Sequence, residues 1–175
     1  MAIVRERERG NMELLIATPL SSLELTIGKV LPYIVIGLVQ VTLILILGLA
    51  VFDVPVRGSL TGVYLASLAY ISATLALGVL ISTLAKTQFQ SMQMAFFTFL
   101  PQILLSGFMF PFDGMPKPAQ WLAEIFPLTH FLRLIRGIML REAGIGEMWG
   151  EVAALTAFVV VVMGAAAMRF RKTLD

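Results

Sequence analysis

The chain has 175 residues, of which 58% are hydrophobic and only 14% are charged, whereas ordinary soluble domains contain about 25% charged residues. Its mean hydropathy of +0.90 leaves too few polar residues to cover the surface of a water-soluble fold. The absence of cysteine excludes disulfides and thiolate metal sites, and a net charge of +2 is too small to indicate nucleic-acid binding. The composition therefore predicts a protein whose solvent is the lipid bilayer.

The N-terminal segment, residues 1–25, carries most of the charge that precedes the first apolar run. Its alternating acids and bases are spaced to pair on the surface of a short helix, and Thr18-Pro19 would end that helix. Ser21 and Glu24 then form an S-x-x-E capping box that can start the next helix. We predict a charged amphipathic helix at the cytoplasmic surface, followed by an elbow. The alternative is a solvated charged flank that only fixes the orientation of the chain.

Four apolar runs follow, and crossing about 30 Å of hydrocarbon takes about 20 helical residues. Three of them lie within residues 30–112, namely Val30–Phe52, Gly58–Ala85 and Ser91–Phe112. The fourth, Val152–Met168, is short for a span. The predicted fold class is an all-α membrane protein with about four transmembrane helices.

The connection between the third and fourth runs, residues 113–150, is too long and too apolar for a simple loop. Pro118 can open a short helix over Ala119–Phe126, and Pro127 must end it. A second helix fits Leu128–Leu140, with an apolar stripe formed by Leu128, Phe131, Leu132, Ile135, Ile138 and Met139. We predict a pair of interfacial or re-entrant half-helices outside the cytoplasm, and the alternative is a pair of ordinary surface helices.

The basic residues that flank the four runs predict the orientation. Eight of the 13 lysines and arginines fall on the side that includes both termini, which makes that side cytoplasmic. Three arginines of the opposite side, Arg133, Arg136 and Arg141, lie together in the half-helix segment and need their own explanation.

No catalytic, cofactor-binding or metal-binding motif is present, so the sequence predicts that the chain is not an enzyme. The single histidine, His130, has no HExxH partner, and a serine-protease pairing with Ser106 has little support. The first three runs contain no Asp, Glu, Lys or Arg, which disfavours proton- or sodium-driven transport. Their mild polarity either lines a translocation path or bonds neighbouring helices, and the candidates are Gln40, Thr42, Ser72, Thr74, Gln93, Thr98, Gln102 and Ser106.

Three stretches carry a resemblance to a known family: Val4–Tyr33, which includes ELLIATPLSSLEL; Leu105–Leu140, LSGFMFPFDGMPKPAQWLAEIFPLTHFLRLIRGIML; and the closing RFRKTL. Together they strongly resemble the membrane subunit of type-2 ABC transporters, the bacterial export permeases. The resemblance covers nearly the whole chain in order, and it corresponds to the C-terminal two-thirds of the family pattern.

The resemblance implies a permease that forms the membrane path for ATP-driven export of an amphipathic substrate such as a drug or lipid. It further implies a soluble ABC ATPase subunit that binds the ATP, a second permease copy as homo- or heterodimer, and a place in the bacterial inner membrane. The charged segment would be the coupling helix that contacts the ATPase, through Glu6, Arg7, Glu8, Arg9, Gly10 and Glu13. Residues Pro111 to Arg141 would be the family's paired half-helices that cap the path.

The chain also departs from the family pattern, because the first span, the extracytoplasmic domain and the second span that normally precede the charged motif are missing. We therefore expect a fragment or a shortened form. This leaves a second function open, a non-transporting membrane protein that pairs with a full-length permease and regulates it.

Overall fold

The computed structural model describes residues 22–171, and within that range every regular element is a helix. Side-chain surroundings are described for residue 28 and for residues 30–168. The six α-helices are α1 (Ser22–Phe52), α2 (Leu60–Leu84), α3 (Gln88–Leu105), α4 (Lys117–Ala123), α5 (Pro127–Arg141) and α6 (Trp149–Arg171), with a short 3-10 turn at Phe112–Gly114 before α4. The predicted N-terminal helix, the Thr18-Pro19 elbow and the Ser21 cap lie outside the described residues.

Three of these helices are long and apolar enough to cross a membrane: Val30–Phe52 in α1, Leu60–Leu84 in α2 and Trp149–Met168 in α6. They correspond to the first, second and fourth predicted runs. The all-helical class is confirmed for the described part of the chain.

The third predicted run is the exception. Helix α3 covers 18 residues, which is about 27 Å at 1.5 Å per residue, and it is not among the three helices that meet the criteria for a span. It ends at Leu105 and not at Phe112 because Gly107 adopts a φ of +85°, and the Ser106 hydroxyl accepts a hydrogen bond from the Phe108 N–H at 3.3 Å. The count of four spans is therefore not confirmed.

The core forms where α2, α5 and α6 meet. Its fully buried members are Val63, Ala66 and Ala73 of α2, Leu134 and Ile138 of α5, and Leu155 of α6. Small residues on α2, among them Gly62, Ala66 and Ala73, are buried, because a small side chain lets neighbouring helices approach closely. Helix α1 packs mainly on α2, and the Thr42 hydroxyl hydrogen-bonds the Tyr64 hydroxyl across this contact at 2.8 Å.

Two short helices, α4 and α5, occupy the segment predicted to hold them. Pro118 lies in the first turn of α4, and Pro127 both follows the end of α4 and begins α5. The predicted stripe on α5 is incomplete, because Leu134 is fully buried as well as Ile138. Helix α5 lies between α2 and α6, so it buries a wider face than one stripe provides. The placement of α4 and α5 at or within a membrane interface stays a prediction.

The connection between α1 and α2 lies directly against α5, where the Arg57 N–H donates to the Met139 carbonyl at 3.1 Å. The next residue, Gly58, has no room for a side chain, since a Cβ there would overlap the backbone carbonyl of Ile138. We expect Gly58→Ala to destabilise the fold by about 1–3 kcal/mol, because a backbone carbonyl cannot turn aside as a side chain can. Thermal unfolding in detergent measures the effect.

The matched control is Gly78→Ala in α2, where an added Cβ meets nothing within 4 Å. This variant should unfold at the wild-type temperature or slightly above it, since alanine is the better helix former. Equal behaviour of the two variants would contradict the close approach of the connection to α5.

Candidate functional site

Four charged or titratable side chains meet where α4, α5 and α6 converge. The break between α4 and α5 places Glu124 beside α5, and Glu151 lies in the first turn of α6. His130 and Arg133 are three residues apart on α5 and therefore share one face of the helix. We call Glu124, His130, Arg133 and Glu151 the charged cluster.

Arg133 is the centre of the charged cluster. Its Nη2 lies 2.5 Å from Glu124 Oε1 and its Nη1 lies 3.0 Å from Glu124 Oε2, a two-pronged arrangement that matches the planar guanidinium to the carboxylate. Nη1 also donates to Glu151 Oε1 at 3.4 Å. The guanidinium lies over the ring of Phe112, 4.5 Å from its centroid, so the 3-10 turn is attached to the same group.

The electrostatic consequence is clearest at Glu124. The hydrogen bond from the Arg133 guanidinium lowers the pKa of the Glu124 carboxyl below its usual range, and this effect outweighs the opposing effect of partial burial. The same hydrogen bond raises the pKa of Arg133. Arg133 therefore stays a cation and Glu124 stays an anion across the physiological range.

His130 contacts an oxygen acceptor with each of its ring nitrogens. Nδ1 lies 2.5 Å from Glu151 Oε2 and Nε2 lies 2.9 Å from the backbone carbonyl of Glu124. Both contacts are hydrogen bonds only when the ring carries two protons or when the Glu151 carboxyl supplies one.

Arg136 has a separate role one turn further along α5. Its Nη2 donates to the Gly107 carbonyl at 3.0 Å, in the turn that ends α3. Thus Arg133 and Arg136, whose position opposed the predicted orientation, both serve to join elements. Their charges consequently carry less weight as markers of the cytoplasmic side.

The charged cluster can hold helices together. His130 and Ser106 do not bond to each other: His130 is held by Glu124 and Glu151, and the Ser106 hydroxyl donates to the Ile103 carbonyl at 3.2 Å. Within residues 22–171, no group of three or more acidic, histidine or cysteine side chains is arranged to hold a metal ion. The arrangement is that of an ion-pair clamp between α4, α5 and α6.

Most of the predicted path residues bond back to their own helix. The hydroxyls of Thr42, Ser72, Thr74 and Thr98 donate to carbonyls three or four residues earlier at 2.8–3.1 Å, and the side-chain amide of Gln102 lies 3.5 Å from the Thr98 carbonyl. Bonds of this kind give each polar side chain a partner within its own apolar helix. Only Thr42 also bonds a neighbouring helix.

Ser106 likewise donates to a carbonyl three residues earlier, and the last two path candidates differ in setting. Gln93 is exposed on α3, whereas Gln40 lies on the wall of a cavity between α1, α2 and α5. The structure does not bring the eight predicted residues together into one path. The predicted coupling residues Glu6, Arg7, Glu8, Arg9, Gly10 and Glu13 lie outside the described residues.

The charged cluster itself was not predicted. In the sequence, His130 is an isolated histidine and Arg133 is one of three arginines in the half-helix segment. A usable signal did exist, because His130 and Arg133 share a helix face and an acid ends the preceding helix. The fourth member, Glu151, is 18 residues from Arg133 and could be assigned only from the packing of α6 on α5.

Three helices long and apolar enough to cross a membrane, two of which pack against a short amphipathic helix, are typical of an integral membrane protein. The chain belongs to the ABC-2 family of transporter proteins, since the family's model matches residues 1–168. This confirms the family that the sequence motifs indicated.

Curated relatives agree with this family. The chain is 32% identical over 172 residues to the probable multidrug ABC transporter permease YbhR of Escherichia coli, covering 98% of this chain and 47% of that protein. It is 32% identical over 176 residues to the probable multidrug permease YbhS of the same organism, covering 100% of this chain and 47% of YbhS. ABC transporter G family member 20 of Dictyostelium discoideum is 27% identical over 164 residues, covering 93% of this chain and 22% of the relative.

The chain spans about half the length of the bacterial relatives that it matches. The expected correspondence to two-thirds of the family pattern is not confirmed. No solved structure is significantly similar to the chain.

The lowered pKa of Glu124 makes stability depend on pH. Because the folded-state pKa is depressed, the Glu124–Arg133 contribution is fully present above the unfolded-state value of about 4.3 and is lost as the pH falls through the lower folded-state value. We expect Arg133→Gln to lower the unfolding temperature at neutral pH. The difference from wild type should shrink as the pH falls from about 7 to about 3.

Unfolding followed in detergent across this pH series measures the difference, with Arg141→Gln as the control because Arg141 is an exposed residue at the end of the same helix. The control should follow the wild-type curve. A difference between Arg133→Gln and wild type that stays constant with pH would show that the ion pair does not set the stability of this region.

Proposed function

We propose that the chain is the permease part of an ATP-driven exporter. The observation that carries this proposal is the family match across residues 1–168, together with relatives that are named multidrug permeases. The uncharged interiors of the three span helices agree with it, since ion-coupled carriers commonly keep ionisable groups at membrane depth. The substrate class is amphipathic, as a drug or lipid would be.

In this proposal the chain performs no catalysis of its own, and ATP binds to a separate soluble ABC ATPase. The charged segment from Glu6 to Glu13 is the coupling helix that contacts the ATPase. Both termini lie in the cytoplasm and the chain resides in the inner membrane. Charge complementarity at such a contact would fix the docking position of the ATPase.

The membrane arrangement includes α3 as the fourth span, beside the three helices that meet the length and hydropathy criteria. Large aromatic side chains along α3 are exposed, namely Phe89, Phe96, Phe97 and Phe99. An apolar face of this kind suits contact with lipid or with a second permease copy. The half-helices α4 and α5 lie outside the cytoplasm and cap the path between the two copies.

Co-purification with a soluble ABC ATPase from the same organism tests the proposal. We expect the ATPase to bind, and the double charge reversal Glu8→Arg/Arg9→Glu to weaken binding at least about tenfold, because like-charge contacts cost several kcal/mol. Quantitative pull-down from detergent, followed by ATP hydrolysis assays, measures both effects.

The matched control is Lys86→Glu, a charge reversal on the same predicted side of the membrane but in the connection between α2 and α3. It should leave ATPase binding unchanged. Failure of the wild-type chain to bind the ATPase would remove the proposal, and equal losses in the two variants would remove the coupling role of the N-terminal segment. Binding to a full-length permease without transport would favour the regulatory alternative instead.

A further inference from the structure

A cavity of about 460 Å³ lies between α1, α2 and α5. Its volume is in the range of about 300–1,000 Å³ that is typical of small-molecule sites. Its α1 wall includes Ile44 and Leu49, which are 67% and 47% exposed, so the cavity is open on its α1 side. Val54 and Val56 of the α1–α2 connection close one end, and the α5 wall includes Phe131, which stacks on Tyr70 at a centroid distance of 4.5 Å.

The wall is apolar except at three side chains. No Asp, Glu, Lys, Arg or His is among the described residues that line the cavity, and its polar side chains are Gln40, Ser67 and Tyr70. Within residues 22–171, these three side chains take part in no hydrogen bond. Every fully enclosed side-chain polar atom of that region does have a hydrogen-bond partner. All three side chains therefore keep unused hydrogen-bonding capacity at the cavity wall, Ser67 in its enclosed part and Gln40 on its exposed α1 side.

These polar groups lie within about one helical turn of each other, near the middle of the predicted membrane span. Helices α1 and α2 run antiparallel, with Thr42 bonded to Tyr64 and a Cβ at Gly37 meeting Ile71 at 2.9 Å, which puts Gln40 opposite Ser67. Val41 is the midpoint of the span Val30–Phe52. From Gln40 to Leu49, at the connection end, α1 rises about 13 Å.

The geometry points to a binding site for an uncharged, drug-sized molecule that has an apolar body and one hydroxyl or carbonyl group. The apolar body lies along Ile44, Leu49 and Val56, and the polar group bonds Gln40, Ser67 or Tyr70. A charged ligand is excluded because an unpaired charge in this wall would have no partner. The site lies within one copy of the chain, so it requires neither the ATPase nor a second copy.

The polarity of the cavity runs opposite to that of a phospholipid. A phospholipid places its polar headgroup at the membrane surface and its chain ends near the middle, whereas the cavity is apolar toward the connection and polar at mid-depth. A lipid chain in the cavity would leave the Gln40 amide facing hydrocarbon, which is unfavourable without a hydrogen-bond partner. The three polar groups therefore select for a ligand with a polar group at its inner end.

Photolabelling with benzophenone tests the site, because this aromatic ketone is uncharged and has a single hydrogen-bonding carbonyl. On irradiation its ketone takes a hydrogen atom from a nearby C–H group and the two carbon radicals join, giving a tertiary alcohol bound to the protein. We expect saturable labelling of the full chain in detergent, concentrated on peptides from the cavity walls of α1, α2 and α5. Mass spectrometry locates the labelled peptides.

Two competitors that differ by one hydroxyl, diphenylmethanol and diphenylmethane, test the polar end. For each competitor we measure the concentration that halves the labelling, and the two concentrations define a ratio. In the double variant Gln40→Leu/Tyr70→Phe, this ratio should change by about three- to tenfold to the disadvantage of diphenylmethanol, which is the value of one neutral hydrogen bond. An unshifted ratio would overturn the proposal.

Filling the cavity tests the location. Leu49→Trp should lower labelling of the cavity peptides several-fold, while Leu47→Trp, which is on the same helix and exposed but does not line the cavity, should leave it unchanged. Labelling spread evenly over the exposed faces of α1, α3 and α6, or equal labelling of the two variants, would overturn the proposal. A co-purified phospholipid that prevents labelling of these peptides would also overturn it.

Discussion

The burial of α5 between α2 and α6 is the contact on which the rest of the structure depends. Leu134 and Ile138 are completely enclosed there, although α5 has only 15 residues and is too short to cross a bilayer. On one side of α5, Arg133 and His130 bond the acidic residues of α4 and α6. On another side, Phe131 and Met139 line the cavity. If α5 shifted along its axis by one turn, both sites would be lost together.

This arrangement shows how an apolar chain accommodates its few polar groups. The two arginines in the middle of α5 find partners at the ends of other helices, Arg133 in two carboxylates and Arg136 in the carbonyl of Gly107. Hydroxyls within the helices return to their own backbone, as at Ser72 and Thr98. Both solutions follow from the cost of leaving a polar group unpaired in hydrocarbon.

Local signals in the sequence predicted more than half of this architecture. Uncharged runs located α1, α2 and α6, and Pro118 and Pro127 marked the short helices, since proline restricts the backbone around it. The end of α3 could not be predicted in this way, because it depends on the conformation of Gly107 within an apolar run that continues to Phe112. The charged cluster was missed for a related reason: Glu151 reaches His130 through tertiary packing, which periodicity does not encode.

The same distinction separates two kinds of polar residue that look alike in the sequence. Thr74 and Gln40 were equal candidates for a path, yet Thr74 donates to carbonyls of its own helix, whereas Gln40 faces the cavity beside Ser67 and Tyr70. The Gln40 side chain makes no hydrogen bond to its own helix, so its amide keeps its hydrogen-bonding capacity for another molecule. In a membrane helix, a polar side chain without a hydrogen-bond partner destabilises the fold. A ligand that supplies this hydrogen bond gains the corresponding free energy on binding.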